Sequence, residues 1–184
     1  MALHVALLHS ITIGNGGRLV MSDWRAMMEA IGLKQPQTLV ATGNALFESV
    51  SATVGQLEER LETAFERSFG RHVDTIVKTA PSWQRLATSN PFLREAEHDD
   101  KRVAVRVMRK PLDGTTVKAL APYATQGERL RLVDGDLWIH FEQDPLRSRL
   151  VSRLTTRHLG VGTIRGWNTV RRLNEMIVGQ GRMP

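Results

Sequence analysis

The chain has 184 residues, of which 41% are hydrophobic and 24% charged, a balance that excludes an intrinsically disordered protein and fits one large domain or two small ones. It has no cysteine, which excludes a disulfide framework, thiolate catalysis and Cys-ligated zinc and suits a reducing compartment. The net charge of +6 is gathered at one end: from Arg147 onward there are eight arginines and a single acid, Glu175, while the preceding residues are close to balance, an asymmetry that points to an anionic partner.

Leu3–His9, running on towards Ile13, read as a buried strand. The run has no basic segment ahead of it and no small-residue cleavage site behind it, so a strand is expected and not a secretory signal. No apolar stretch approaches the ~20 residues of a membrane span, and a cytoplasmic location without membrane contact is expected. The loop Gly14-Asn15-Gly16-Gly17-Arg18 follows. Ser22 or Asp23 is expected to cap a helix whose apolar positions Trp24, Met27, Met28 and Ile31 share one face, with Gly32 as its stop. Residues 38–41 and 45–48 form short strands about Thr42-Gly43-Asn44. Thr53 and Gln56 offer a capping box for a second helix, which buries Leu57, Leu61, Ala64, Phe65 and Phe69 and turns Glu58, Glu59, Glu62 and Glu66 largely to water. Gly70 ends it, and Val73–Lys78 make a fourth strand.

After a short helical or irregular connection at Pro81–Ser89 and an acidic stretch, Glu95–Asp100, expected to be a flexible linker, the same order returns. Val103–Met108 is a strand. Asp113 to Tyr123 is a helix, and Arg129–Val133 and Leu137–Phe141 are strands joined through Asp134-Gly135-Asp136, a strong hairpin signal. Asp144, with Pro145 behind it, is expected to cap a helix from Leu146 to Leu159; a strand near Val161–Arg165 and a last helix from Asn168 follow. Two βαββαβ series imply an α+β fold of two tandem ferredoxin-like units, α/β plait sandwiches, with an extra C-terminal helix. The expected boundaries are 1–80, a connecting segment 81–101, and 102–184.

Right-handed crossovers place the loop after the first strand of each unit at the same end of the sheet as the hairpin between the second and third. In the first unit this gathers Asn15, Arg18, Thr42 and Asn44 at a strand-end edge. Free backbone N–H groups of a Gly-rich loop, a helix N-terminus and a guanidinium there suit a phosphate or carboxylate; the same glycines also serve simply to allow positive φ angles. In the second unit, Lys110 comes near Asp134-Gly135-Asp136. A second candidate surface is the arginine series Arg149, Arg153 and Arg157, spaced as one stripe of an α-helix, with Arg165, Arg171 and Arg172 beyond it, suited to a phosphate backbone. The six histidines show no paired metal-ligand spacing, no nucleophile elbow is present, and neither a metal, a cofactor nor a catalytic constellation can be named.

Several segments carry a family resemblance: Leu7-Leu8-His9-Ser10-Ile11-Thr12-Ile13-Gly14, Met21-Ser22-Asp23-Trp24-Arg25, Thr42-Gly43-Asn44-Ala45-Leu46-Phe47, Asn90-Pro91-Phe92, Arg147-Ser148-Arg149-Leu150 and Thr163-Ile164-Arg165-Gly166-Trp167-Asn168-Thr169. Together they resemble DUF1697, a mainly bacterial family of unknown function, over most of the chain. The resemblance implies a pair of ferredoxin-like units and supplies no activity. This chain departs from the family pattern at His9-Ser10-Ile11-Thr12, at Ala41-Thr42 and at Gly166, so it is read as a divergent member. The expected function is binding of a small anionic ligand at the first-unit edge. The alternatives are a nucleic-acid-binding module using the C-terminal arginines, and an enzyme with a polar cleft.

Overall fold

The computed structural model describes residues 1–9, 18–39, 43–50 and 52–180. It divides into two compact units, Met1–Gln84 together with the segment from Arg172 onward, and Arg85–Arg171. The architecture is α+β, with two four-stranded antiparallel sheets, one in each unit.

In the first unit β1 (Ala2–Leu8) leads to α1 (Met21–Ala30), β2 (Lys34–Leu39), β3 (Asn44–Ser49), α2 (Val54–Phe69) and β4 (Thr75–Thr79), with strand order β2-β3-β1-β4. Alternation along a strand decides which residues meet the helices. Ala6 and Leu8 of β1, Ala45 and Phe47 of β3, and Val77 of β4 pack with Trp24 and Met28 of α1 and Leu57, Leu61 and Phe65 of α2. Each large side chain buried in this way contributes about 1.5–3 kcal/mol, which is why a helix as short as α1 persists without a side-chain cap. The structure starts α1 at Met21, with Val20 in the N-cap position; Ser22 and Asp23 already lie in the first turn. The capping box of α2 forms as expected between Thr53 and Gln56, and Gly70 ends the helix at φ 69°.

The glutamates of α2 depart from the expected pattern. Glu58 is buried, and its Oε1 accepts the Val77 N–H at 3.0 Å; one turn on, Glu62 Oε1 accepts the Thr75 N–H at 2.9 Å. β4 is an edge strand, so alternate N–H groups lack a strand partner, and carboxylates spaced i, i+4 on the neighbouring helix meet groups spaced i, i+2 on the strand. The opposite edge, β2, is broken in another way: its register against β3 shifts between Lys34 and Gln37, Gln35 takes φ 48°, and Pro36 has no N–H to offer.

The chain continues through α3 (Ala80–Thr88) and α4 (Leu93–His98) into the second unit's sheet: β5 (Val103–Met108), α5 (Gly114–Leu120), β6 (Arg129–Val133), β7 (Asp136–His140) and β8 (Gly162–Gly166), in the order β6-β7-β5-β8. The expected flexible linker is thus corrected: α4 and a 3-10 turn at Asp100–Arg102 occupy it, anchored by buried Ala96 and by an ion pair from Glu95 to Arg129. The hairpin at Asp134-Gly135 has positive φ at both central residues, 51° and 83°, the twist-matched turn that Asp-Gly favours. Leu112 N donates to Gly135 O at 2.9 Å and Met108 N to Asp136 Oδ1 at 2.7 Å, so the loop containing Lys110 does meet this hairpin.

The expected helix from Leu146 to Leu159 does not form. Two 3-10 turns, Pro145–Arg147 and Arg149–Arg153, precede a four-residue helix α6 (Thr156–Leu159). The chain leaves helical geometry first at Ser148, with ψ 126° and its hydroxyl donated to Glu128, and again at Leu154, where the reason lies in β5. Arg106 is only 1% exposed, and its guanidinium donates to Leu154 O at 2.6 Å and Gly160 O at 3.1 Å. A continuous helix needs the Leu154 carbonyl for the His158 N–H, which instead turns to Thr155 O. The last helix, α7 (Trp167–Gln180), buries Val170, Leu173 and Ile177 at helical spacing. Among the described residues no helix is long and apolar enough to cross a membrane.

Candidate functional site

At the first-unit edge Leu7 pairs with Asn44 and Leu8 N donates to Gly43 O at 2.8 Å, so the end of β1 and the β2–β3 hairpin are side by side. Asn15 and Thr42 lie outside the described residues. Arg18 is exposed. Asn44 is completely buried, and its Nδ2 donates to Leu39 O at 3.2 Å across the hairpin, where it holds the two strands together.

The arginine series also lands differently from its expected stripe. Arg149 and Arg153 sit on a 3-10 turn, where four residues leave side chains about 120° apart in azimuth, and Arg157 sits beyond the break at Leu154. Arg153 lies over the Tyr123 ring at 4.3 Å. Arg165, on β8, is 9% exposed and donates to Thr163 Oγ1 at 2.6 Å and Ile164 O at 2.9 Å; burial lowers its pKa to about 10. Arg149, Arg157, Arg171 and Arg172 remain exposed, with Arg171 bonded to Asn168 Oδ1.

A dense polar constellation among the described residues is one that composition and spacing did not disclose. A cleft of about 620 Å³ in the second unit is lined by Arg94, Glu95 and His98 of α4, Asp99 and Arg102 of the following turn, Arg129 of β6, and His140 and Glu142 at and beyond the end of β7. Sheet register builds its floor, because Arg129 and His140 are directly opposed residues of β6 and β7. Arg129 Nη2 donates to Glu95 Oε1 at 2.6 Å and contacts His140 Nδ1 at 3.2 Å, and the guanidinium lies over the Phe92 ring at 5.3 Å. A guanidinium can only donate. The His140 Nδ1 therefore presents its lone pair to Arg129, and the neutral ring carries its proton on Nε2.

Electrostatics agree with that assignment. Burial first, and the Arg129 charge second, push the His140 pKa below its ordinary value, against Glu95 and Glu142. Its own backbone N–H and the Arg129 side chain hold the Glu95 carboxyl below the usual range. Arg102 Nε donates to Asp99 Oδ2 at 3.0 Å, its Nη1 donates to Glu142 O, and its carbonyl receives the Phe141 N–H. Arg129 and Arg102 are thus positioned by carboxylates, whereas Arg94 is exposed and has no partner among the described residues. The wall offers donors in several directions: a fixed guanidinium, a neutral imidazole N–H and a free cation. The sequence signal that could have exposed it is the one-residue match of Arg129 to His140 across the Asp-Gly hairpin; the rest depends on α4, which is too short to show a period.

A family model described as "Protein of unknown function (DUF1697)" matches residues 1–138. No curated protein matches the sequence significantly. Among solved structures, that of the conserved bacterial protein SP0830 from Streptococcus pneumoniae is similar, at 21% identity over 97% of this chain and 99% of that one, with a TM-score of 0.71. At that identity the likeness is one of fold.

Proposed function

Given that the chain belongs to the DUF1697 family of proteins of unknown function, we propose that it binds a small phosphate- or carboxylate-bearing ligand, and that the second-unit cleft receives the anionic group. The observation that carries this is the unpartnered Arg94 at a cleft where Arg102 and Arg129 are already oriented by Asp99 and Glu95. Oriented guanidiniums bind oxyanions through charge-assisted hydrogen bonds at little further ordering cost. The neutral His140 adds a donor without adding charge. This moves the site away from the first-unit edge, where the Asn44 amide is committed to Leu39. The strand order in each unit supports reading both as ferredoxin-like, and the absence of cysteine supports a reducing, cytoplasmic setting.

Isothermal titration with inorganic phosphate and with succinate tests the proposal. Binding that is weakened by Arg94→Ala and by His140→Gln, and unchanged by Arg18→Ala, supports the cleft. Loss in Arg18→Ala alone returns the site to the first-unit edge, and no binding at millimolar concentrations of either probe refutes anion binding. Tight, steeply salt-dependent binding of short single-stranded RNA with neither probe bound favours the nucleic-acid alternative.

A further inference from the structure

Away from the cleft, in the first unit, Glu62, His72 and Asp74 each bring one ligand atom within 4.8 Å of the others. They come from different elements: Glu62 from the third turn of α2, His72 and Asp74 from the short connection that follows Gly70 and enters β4. The connection is held at both sides. Glu62 Oε1 accepts the Thr75 N–H at 2.9 Å, and the Asp74 carbonyl accepts the His9 N–H at 2.9 Å.

The spacing around His72 is the informative feature. Its Nε2 lies 3.5 Å from Asp74 Oδ1, and its Nδ1 lies 3.9 Å from Glu66 Oε2. Both are ion-pair separations, longer than the about 2.7–3.2 Å of a direct N–H···O bond. Two donors bound tetrahedrally to one ion at about 2.0–2.1 Å each stand roughly 3.3–3.4 Å apart, close to the 3.5 Å between Nε2 and Oδ1 here. One imidazole nitrogen with two carboxylates selects a borderline divalent transition ion over Mg²⁺ or Ca²⁺, which prefer oxygen alone. His72 is about half exposed, so an ion reaches it directly from solvent.

We infer that Glu62, His72 and Asp74 form a Zn²⁺-class divalent metal site, with the remaining coordination positions open to water or ligand. The site is independent of the anion-binding cleft.

The test is isothermal titration of Zn²⁺ into tag-free, chelator-stripped full chain, with thermal denaturation in parallel. The expected result is one Zn²⁺ per chain and a raised Tm. Both are lost in His72→Ala, binding is weakened at least about tenfold in Asp74→Asn, and both are retained in His98→Ala; circular dichroism confirms that each variant is folded. Absence of binding, binding that survives His72→Ala, or binding that disappears in His98→Ala instead would overturn the inference.

Discussion

Replacing Arg106 by Met should destabilise the second unit without unfolding it at room temperature. The guanidinium holds two carbonyls six residues apart, at 2.6 Å from Leu154 O and 3.1 Å from Gly160 O, and burial lowers its pKa to about 10. Hydrogen bonds to a charged group contribute about 1.5–3 kcal/mol each. Part of that is offset because Met no longer buries a charge, or the Arg106 Nε, which lacks a partner. The net loss is therefore about 2–4 kcal/mol, corresponding in a unit of this size to a fall in Tm of about 10–25 °C. Arg106→Lys keeps the charge but cannot fork to both carbonyls, so its Tm should fall between those of wild type and Arg106→Met. Hydrogen exchange localises the effect: protection of the His158, Leu159 and Gly160 amides should drop more than that of β5 and β7. A Met variant as stable as wild type, or one whose loss of protection is spread evenly through the unit, refutes the idea that this side chain sets the path of residues 154–160.

Removing Arg129 (Arg129→Ala) takes away the positive charge and the donor that disfavour protonation of His140, so the ring's pKa, followed by NMR, should rise; an unchanged or lower value would contradict the cleft electrostatics. Stability should fall with acidification below the ordinary imidazole value near 6.5, because His4 and His140 both have folded-state pKa values lowered chiefly by burial and the unfolded chain binds protons first. Urea midpoints should therefore be lower at pH 5.5 than at pH 7.5, and the gap should narrow in the His4→Leu/His140→Gln double variant. Gly135→Ala should cost more than about 1 kcal/mol by urea unfolding, since φ is +83° and the new Cβ would stand 2.4 Å from Pro111 Cβ.

Where a local signal coincides with a buried face, the sequence is legible. Thr53 and Gln56 announce the start of α2, Asp134-Gly135 announces the second hairpin, and Trp24, Met27 and Met28 mark the buried face of α1. Elsewhere tertiary partners override local preference. Asp144 does cap a turn, with its Oδ1 accepting the Leu146 N–H, but the chain turns extended at Ser148, and further on Arg106 reaching from β5 takes the Leu154 carbonyl, so no long helix grows. Glu58 looks solvent-facing until an edge strand claims its carboxylate. The cleft was illegible for a related reason: Arg94, Arg102, Arg129 and His140 are far apart in sequence, and a six-residue helix within an acidic stretch looks like a linker. Asn44 was correctly placed at the hairpin, but its burial could not be inferred from its polarity.

The two borders of the first sheet also bear on how the molecule behaves in a crowded solution. An unprotected outer strand is a template on which another chain can extend the ladder, the first step towards fibrillar association. On β4 the amides of Thr75 and Val77 are already committed to Glu62 and Glu58, so an incoming strand would have to displace two carboxylates from the amides they hold. On β2 the kink at Gln35 and the missing amide of Pro36 interrupt any continuous docking line. The same glutamates that complete the fold from within therefore help this sheet to stay at four strands.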